Sequence, residues 1–183
     1  IVDACAGAGG KSLHLGCEMR NKGRLLALDI SARKLEELKK RARRAQLSLV
    51  ETRPIDNNKV IKRLHGKADA LLLDVPCTGS GVLRRNPESK WRLGPKQVRL
   101  VLDTQKRLLK NYSRILKKGQ RMVYATCSVF PVENQRQVQG FLDSERSEGR
   151  VWVKEEEFTN WPQDNGFDGF YACRLRQCLN EDR

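Results

Sequence analysis

Apolar positions fall into short runs separated by polar, helix-like stretches. Residues 24–29 (RLLALD), 47–51, 68–75 (ADALLLDV) and 121–126 (RMVYAT) read as strands. The last two are near-continuous apolar runs, the pattern of parallel strands covered on both faces. An apolar start at Ile1 forms a further strand that runs into a glycine-rich turn and then a helix. Residues 31–46 predict a helix with Ser31 as its N-cap. The longest predicted helix covers residues 95–117. Val98, Val101, Leu102, Leu108, Leu109, Tyr112, Ile115 and Leu116 line one face of it at helical spacing, and Lys117-Lys118-Gly119 ends it. Alternating strands and helices predict an α/β fold with a doubly wound, mostly parallel sheet. Residues 151–154 and 169–176 are expected to close it, one of them antiparallel. No internal repeat or low-complexity linker breaks the chain, so residues 1–183 read as one domain.

Length and composition agree with that reading. The 183 residues are 39% hydrophobic, enough for a core of their own. The longest apolar runs, such as residues 70–73, are far too short to cross a bilayer. No charged-then-apolar leader opens the chain, and Ile1, not Met, lies already inside a strand. The expectation is a domain excised from a longer protein, monomeric, cytoplasmic and not bound to a membrane. The formal charge of +14 points to a polyanionic partner, with nucleic acid the commonest. A cationic solvated surface is the plainer alternative. Basic residues cluster at 33–44, 84–92 and 106–118. The first and third are helix faces, whereas the second, with Arg84, Arg85, Lys90, Trp91 and Arg92, is loop-like and the better candidate for phosphate contact. Trp91 there either stacks on a base or fills a gap in the core.

Six cysteines are scattered as Cys5, Cys17, Cys77, Cys127, Cys173 and Cys178, with only two histidines and no close CxxC pair. That disfavours a metal site and a disulfide framework. Three constellations carry chemistry. In the first, Asp3-Ala4-Cys5-Ala6-Gly7-Ala8-Gly9-Gly10-Lys11-Ser12, a strand enters a glycine loop and a helix, where free backbone N–H groups approach a ligand. Asp29, twenty residues after Gly9, ends the next strand and can accept hydrogen bonds from ribose hydroxyls. A P-loop competes for this stretch, but Cys5 stands where its first glycine belongs. Dinucleotide binding lacks the GxGxxG spacing. The second constellation is residues 74–81, with Asp74, Pro76 and Cys77 at the end of the fourth strand. The third is Thr126-Cys127-Ser128 at the end of the fifth. In an open α/β sheet the ends of strands one, four and five converge on one crevice.

A cysteine taken alone is usually a small buried hydrophobe. Two of them at matching strand ends, one beside an aspartate, fit a harder reaction. Carbon 5 of cytosine is a poor nucleophile until a thiolate adds to carbon 6. The ring then needs an acid or hydrogen-bonding group near nitrogen 3, which Asp74 supplies if burial raises its pKa. A base must finally remove the carbon 5 proton, a task for a second cysteine. Composition and spacing leave open which cysteine attacks.

These motifs resemble the Sun/Nop family of RNA cytosine-5 methyltransferases, which includes bacterial ribosomal RNA enzymes. The matching stretches are DACAGAGGKS (3–12), LALDIS (26–31), LLLDVPCTGSG (71–81), NPESKWR (86–92), YATCSVFPVEN (124–134) and DGFYACRL (168–175). They follow family order across nearly the whole chain, and DVPC with TCS is a specific pairing. The resemblance implies a Rossmann-like class I methyltransferase fold, S-adenosylmethionine as cofactor, and RNA as partner, ribosomal rather than transfer RNA. It implies Cys127 as nucleophile, Cys77 as the residue that helps release product, and Asp74 and Lys11 as the pair that orients the base. The cofactor would lie on Cys5, Ala6, Gly7, Ala8, Gly9, Gly10 and Lys11, beside Asp74, with its ribose on Asp29 and its adenine end at Asp56. Ala8 stands where the family more often has proline, and members usually carry an N-terminal segment, often with an RNA-binding module, before the first motif. The alternative is a non-catalytic RNA-binding or ribosome-assembly protein on the same fold, for which two retained cysteines have no use.

Overall fold

The computed structural model describes residues 1–179. Seven strands form one sheet in the order β3-β2-β1-β4-β5-β7-β6. They are β1 (Val2–Asp3), β2 (Leu25–Asp29), β3 (Val50–Pro54), β4 (Ala68–Asp74), β5 (Leu116–Thr126), β6 (Trp152–Asn160) and β7 (Phe170–Gln177). The first five are mutually parallel, and β7 is antiparallel to both β5 and β6. The α/β class, the mostly parallel sheet and the antiparallel closure are therefore as expected, and β1, β4 and β5 are neighbours.

Helices α1 (Gly10–Glu18), α2 (Ala32–Arg44), α3 (Asn58–Lys62), α4 (Ser89–Arg92), α5 (Pro95–Tyr112), α6 (Gln135–Ser147) and α7 (Pro162–Asn165) join the strands. Ser31 caps α2 by accepting from the Lys34 N–H at 3.4 Å. Strand side chains alternate between faces, so each face of the sheet has its own core. Leu25 and Ala27 pack with Leu35, Leu38 and Ala42 of α2 and with Leu47 and Leu49. Leu26 and Leu28 belong to the other layer, with Leu71, Leu73, Met122, Tyr124, Leu109, Val138 and Phe141. Each such large side chain contributes about 1.5–3 kcal/mol of burial.

Three boundaries differ from expectation, each for a physical reason. The third strand is Val50–Pro54, not residues 47–51. Leu47 and Leu49 are apolar because they plug the core beside α2, while pairing with β2 begins at Val50 opposite Leu25. Pro54 is tolerated because β3 is an edge strand. The long helix stops at Tyr112, followed by a 3-10 turn, Ser113–Ile115. Lys117-Lys118-Gly119 lies inside β5, where Lys117 pairs with Asp69 at 2.6 Å and Gly119 takes φ 78° at a register shift. The closing strand predicted at residues 151–154 extends to Asn160. Its polar run is affordable at the sheet edge, where Glu155 meets Arg121, Arg174 and Arg176. Among the described residues no helix is long and apolar enough to span a membrane, and no group of three or more His, Cys, Asp or Glu side chains is placed to hold a metal ion.

Candidate active site

The glycine loop leaves β1 at Asp3 and enters α1 at Gly9. Its path is set by backbone bonds to both neighbouring strands: Ala4 N–H donates to Leu72 O at 3.0 Å and Ala6 N–H to Leu28 O at 2.9 Å. Gly9 sits at φ 89°, and a Cβ there would lie 2.4 Å from Leu38 Cγ of α2. Left-handed backbone and close packing both demand glycine. Asp29 is tied to the loop, since Oδ2 accepts from Gly7 N–H at 2.9 Å and Oδ1 from Ser31 N–H at 2.8 Å. Ala8 turns its carbonyl outward to Arg41 Nη1 at 2.7 Å.

Beside this loop lies a cavity of about 430 Å³ whose walls include Cys5, Asp29, Ile30, Ile55, Asp56 and Tyr112. It brings together Cys5, Asp29 and Asp56 of the expected cofactor residues. Space beyond Gly7 and Gly10 is open. Carboxylates at two corners, apolar walls from Ile30, Ile55 and Leu108, and accessible glycine backbone fit a nucleoside-type cofactor. Burial first, and then the carboxylates of Asp3, Asp29 and Asp74, push the Cys5 thiol up, so it stays protonated. The Thr104, Arg107, Leu108 and Asn111 part of the wall was not foreseen. On α5 these residues carry no signal separating them from an ordinary helix surface.

The ends of β4 and β5 are locked together by Val75 N–H donating to Ala125 O at 3.0 Å. Just beyond, Cys77 Sγ and Cys127 Sγ touch at 3.1 Å. Lys11 of α1 reaches over to Asp74, Nζ to Oδ2 at 2.6 Å, and lies 5.1 Å from the centre of the Phe170 ring. The two cysteines and the Lys11–Asp74 pair expected from the sequence thus meet at one place. Asp74 is 30% exposed and ion-paired with Lys11. The thiols are unequal. A hydrogen bond from the Cys77 thiol lowers Cys127, aided by Lys11 and opposed by burial and Asp74. The same bond, and then burial, raises Cys77.

Sequence reasoning missed what holds the thiols. Glu133 is wholly buried and accepts from Thr78 N–H at 2.9 Å, Thr78 Oγ1 at 2.5 Å, Ser128 Oγ at 2.5 Å and Gln105 Nε2 at 2.9 Å. Its signal was a charged residue in the run TCSVFPVEN. On the far side, Gly81 N–H donates to Cys127 O at 2.9 Å and Gly169 N–H to Gly81 O at 2.7 Å. A Cβ on Gly81 would fall 2.2 Å from Gly169 O, backbone against backbone.

A family model described as 16S rRNA methyltransferase RsmB/F matches residues 1–176. The chain belongs to this family. It is 29% identical over 97% of its length to the probable ribosomal RNA small subunit methyltransferase B of Bacillus subtilis, and 34% identical over 96% to ribosomal RNA small subunit methyltransferase B of Shewanella oneidensis. It covers 43% and 42% of those proteins, so it spans less than half the length of these relatives. The crystal structure of PH0851 superimposes with a TM-score of 0.87 at 31% identity, over 95% of this chain and 41% of that one.

On this RsmB/F chain the basic loop is partly committed already. Arg85 pairs with Asp168 at 2.6 Å, and Arg84 approaches the same carboxylate at 3.9 Å. Trp91 is 84% exposed, so it fills no gap in the core. Lys90 Nζ lies 5.7 Å from the centre of its ring. The side chain of Arg92 lies outside the described residues.

Proposed function

We propose that residues 1–183 act as one catalytic domain that methylates carbon 5 of cytosine in RNA, ribosomal RNA being the substrate, with S-adenosylmethionine as donor. The observation that carries the reading is the thiol pair at 3.1 Å beside the Lys11–Asp74 ion pair. The family and the +14 charge support an RNA substrate. The cavity at Asp29 and Asp56 is the place for the cofactor, with Asp29 on the ribose and Asp56 toward the adenine. When bound, that cofactor supplies an electrophilic methyl group on a sulfonium. Cys127, the thiol favoured as thiolate, adds its electron pair to carbon 6, and the ring π pair moves toward carbon 5. Lys11 and Asp74 orient the ring, and the Lys11 ammonium stabilises the charge it gains. After carbon 5 is substituted, Cys77 takes the proton from it. Those electrons restore the double bond, and Cys127 leaves as thiolate.

The test supplies labelled S-adenosylmethionine and small-subunit ribosomal RNA to the full-length chain. Label should appear as 5-methylcytosine. Cys127→Ala should give neither methylation nor adduct, and Cys77→Ala should leave protein bound to methylated RNA through denaturing electrophoresis. Label on a ribose or a purine would overturn the proposal.

A further inference from the structure

We infer that Glu133 is a positioning residue: its carboxylate, in hydrogen bonds to the segments that flank Cys77 and Cys127, fixes the contact between the two thiols. What the thiols do rests on the proposed function; how they are held does not. Glu133 has no exposure and, among the described residues, no cationic partner in its hydrogen bonds or ion pairs. A buried carboxylate without a counter-charge is costly, so it persists only where hydrogen bonds satisfy it. Its four donors come from three elements. Thr78 follows Cys77, and Ser128 follows Cys127. Gln105 of α5 donates its Nε2 both to Glu133 and, at 3.0 Å, to the carbonyl of Pro76, the residue before Cys77. Cys77 is therefore gripped on both sides, and Cys127 is held by Ser128 and by Gly81 N–H. Glu133 is itself anchored, since its carbonyl accepts from Tyr124 Oη at 2.7 Å. No bond runs from Glu133 to either sulfur, so it acts only through these neighbours.

The readout is thiol reactivity, which needs neither RNA nor methyl transfer. Alkylation of Cys127 by iodoacetamide is followed by peptide mass spectrometry across a pH series in the full-length chain. The titratable groups that face Cys127 are Cys77, Asp74 and Lys11, and none is altered. Glu133→Ala should move the Cys127 profile to higher pH and lower its rate near neutrality about tenfold, the change that accompanies one pH unit in thiolate fraction. Glu133→Gln should keep most of the wild-type profile. Its amide oxygen can accept from Thr78 N–H and Gln105 Nε2, and its amide N–H groups can donate to the Thr78 and Ser128 hydroxyls. S-adenosylmethionine affinity, read by calorimetry, should change less than about twofold in both, since none of the four donors lines the cofactor cavity. If Glu133→Ala fails to fold, the pair Thr78→Val and Ser128→Ala removes two donors and should shift the profile in the same direction. A folded Glu133→Ala chain, or the donor pair, with the wild-type profile would overturn the inference, as would a Gln variant no better than Ala. Loss of RNA methylation in every assay, with the Cys127 profile still dependent on Glu133, would sink the proposed function and leave this inference standing.

Discussion

Replacing Cys77 with Ala tests the coupling between the thiols as well as their division of labour. The 3.1 Å contact gives the Cys127 thiolate a hydrogen bond from the Cys77 thiol. A hydrogen bond to a charged group is worth ~1.5–3 kcal/mol, and about 1.36 kcal/mol is a factor of ten. Removing the donor should therefore slow Cys127 addition at neutral pH by ~10- to 100-fold. Raising the pH should recover the rate, because a thiol that has lost its stabilising partner ionises later. Cys77→Ala should thus show slow formation of a protein–RNA adduct that then persists. Cys77→Ser should form it faster, since a hydroxyl still donates. Single-turnover assays at several pH values, resolved on denaturing gels, separate formation from decay. Adduct formation by Cys77→Ala that overlays the wild-type pH profile would refute the coupling. An adduct from Cys127→Ala, with none from Cys77→Ala, would reverse the two roles.

Asp29→Ala should weaken S-adenosylmethionine binding in calorimetry at least tenfold, because a charge-assisted bond worth ~1.5–3 kcal/mol is lost together with the Gly7 tether; unchanged affinity would remove Asp29 from the cofactor site. Burial pushes the Asp3 carboxyl up from 3.8 to about 6, so it favours folding while protonated. That contribution is full below about 3.8 and lost as pH rises through about 6. Asp3→Asn, which can still accept from Ser12 Oγ, should therefore melt higher than wild type at pH ~8, by on the order of 2 kcal/mol, with the advantage gone near pH ~4; equal melting curves at both would rule this out. Arg84→Gln combined with Arg85→Gln, which puts no like charge beside Asp168, should lower the salt slope of RNA binding by roughly 0.7 per lost single-strand phosphate contact. An unaltered slope would take this loop out of the RNA interface.

Local pattern carried the parallel sheet and failed where neighbours in space decide. RLLALD is legible as a strand because both faces of β2 are covered, and ADALLLDV because Ala68, Leu71, Leu73 and Val75 are buried in one core while Ala70 and Leu72 are partly covered. The convergence of Lys11, Asp74, Cys77 and Cys127 follows from strand order, which the alternation of elements already constrains. Leu47 and Leu49 misled because an apolar residue in a connection looks like one in a strand. Lys117-Lys118-Gly119 misled because cations and a glycine end helices as readily as they line a bulged strand. Glu133 was out of reach for a different reason. Its partner Thr78 lies 55 residues away, and a carboxylate after Pro131-Val132 reads the same whether it faces water or two hydroxyls. Trp91 stayed undecided in the sequence since an indole suits core and surface alike. Only its exposure separates the two.

On the proposed roles, the contact between the two sulfurs has opposite consequences before and after attack. While Cys127 is a thiolate it accepts the Cys77 proton in a hydrogen bond. That bond is the first cause both of the lowering of Cys127 and of the raising of Cys77. Cys77 is then neither a rival nucleophile nor a base, although it has the same side chain and a matching strand end. Once Cys127 is bonded to carbon 6 its sulfur is a thioether, uncharged and a weak acceptor. The chief cause holding the proton on Cys77 disappears at that step, leaving burial as the main one. Cys77 then gives up its proton more readily, so its thiolate becomes available at the stage where a carbon 5 proton must be removed. On these roles one 3.1 Å contact serves both stages, and this requires that the contact be held firmly, which is the part the buried Glu133 network supplies.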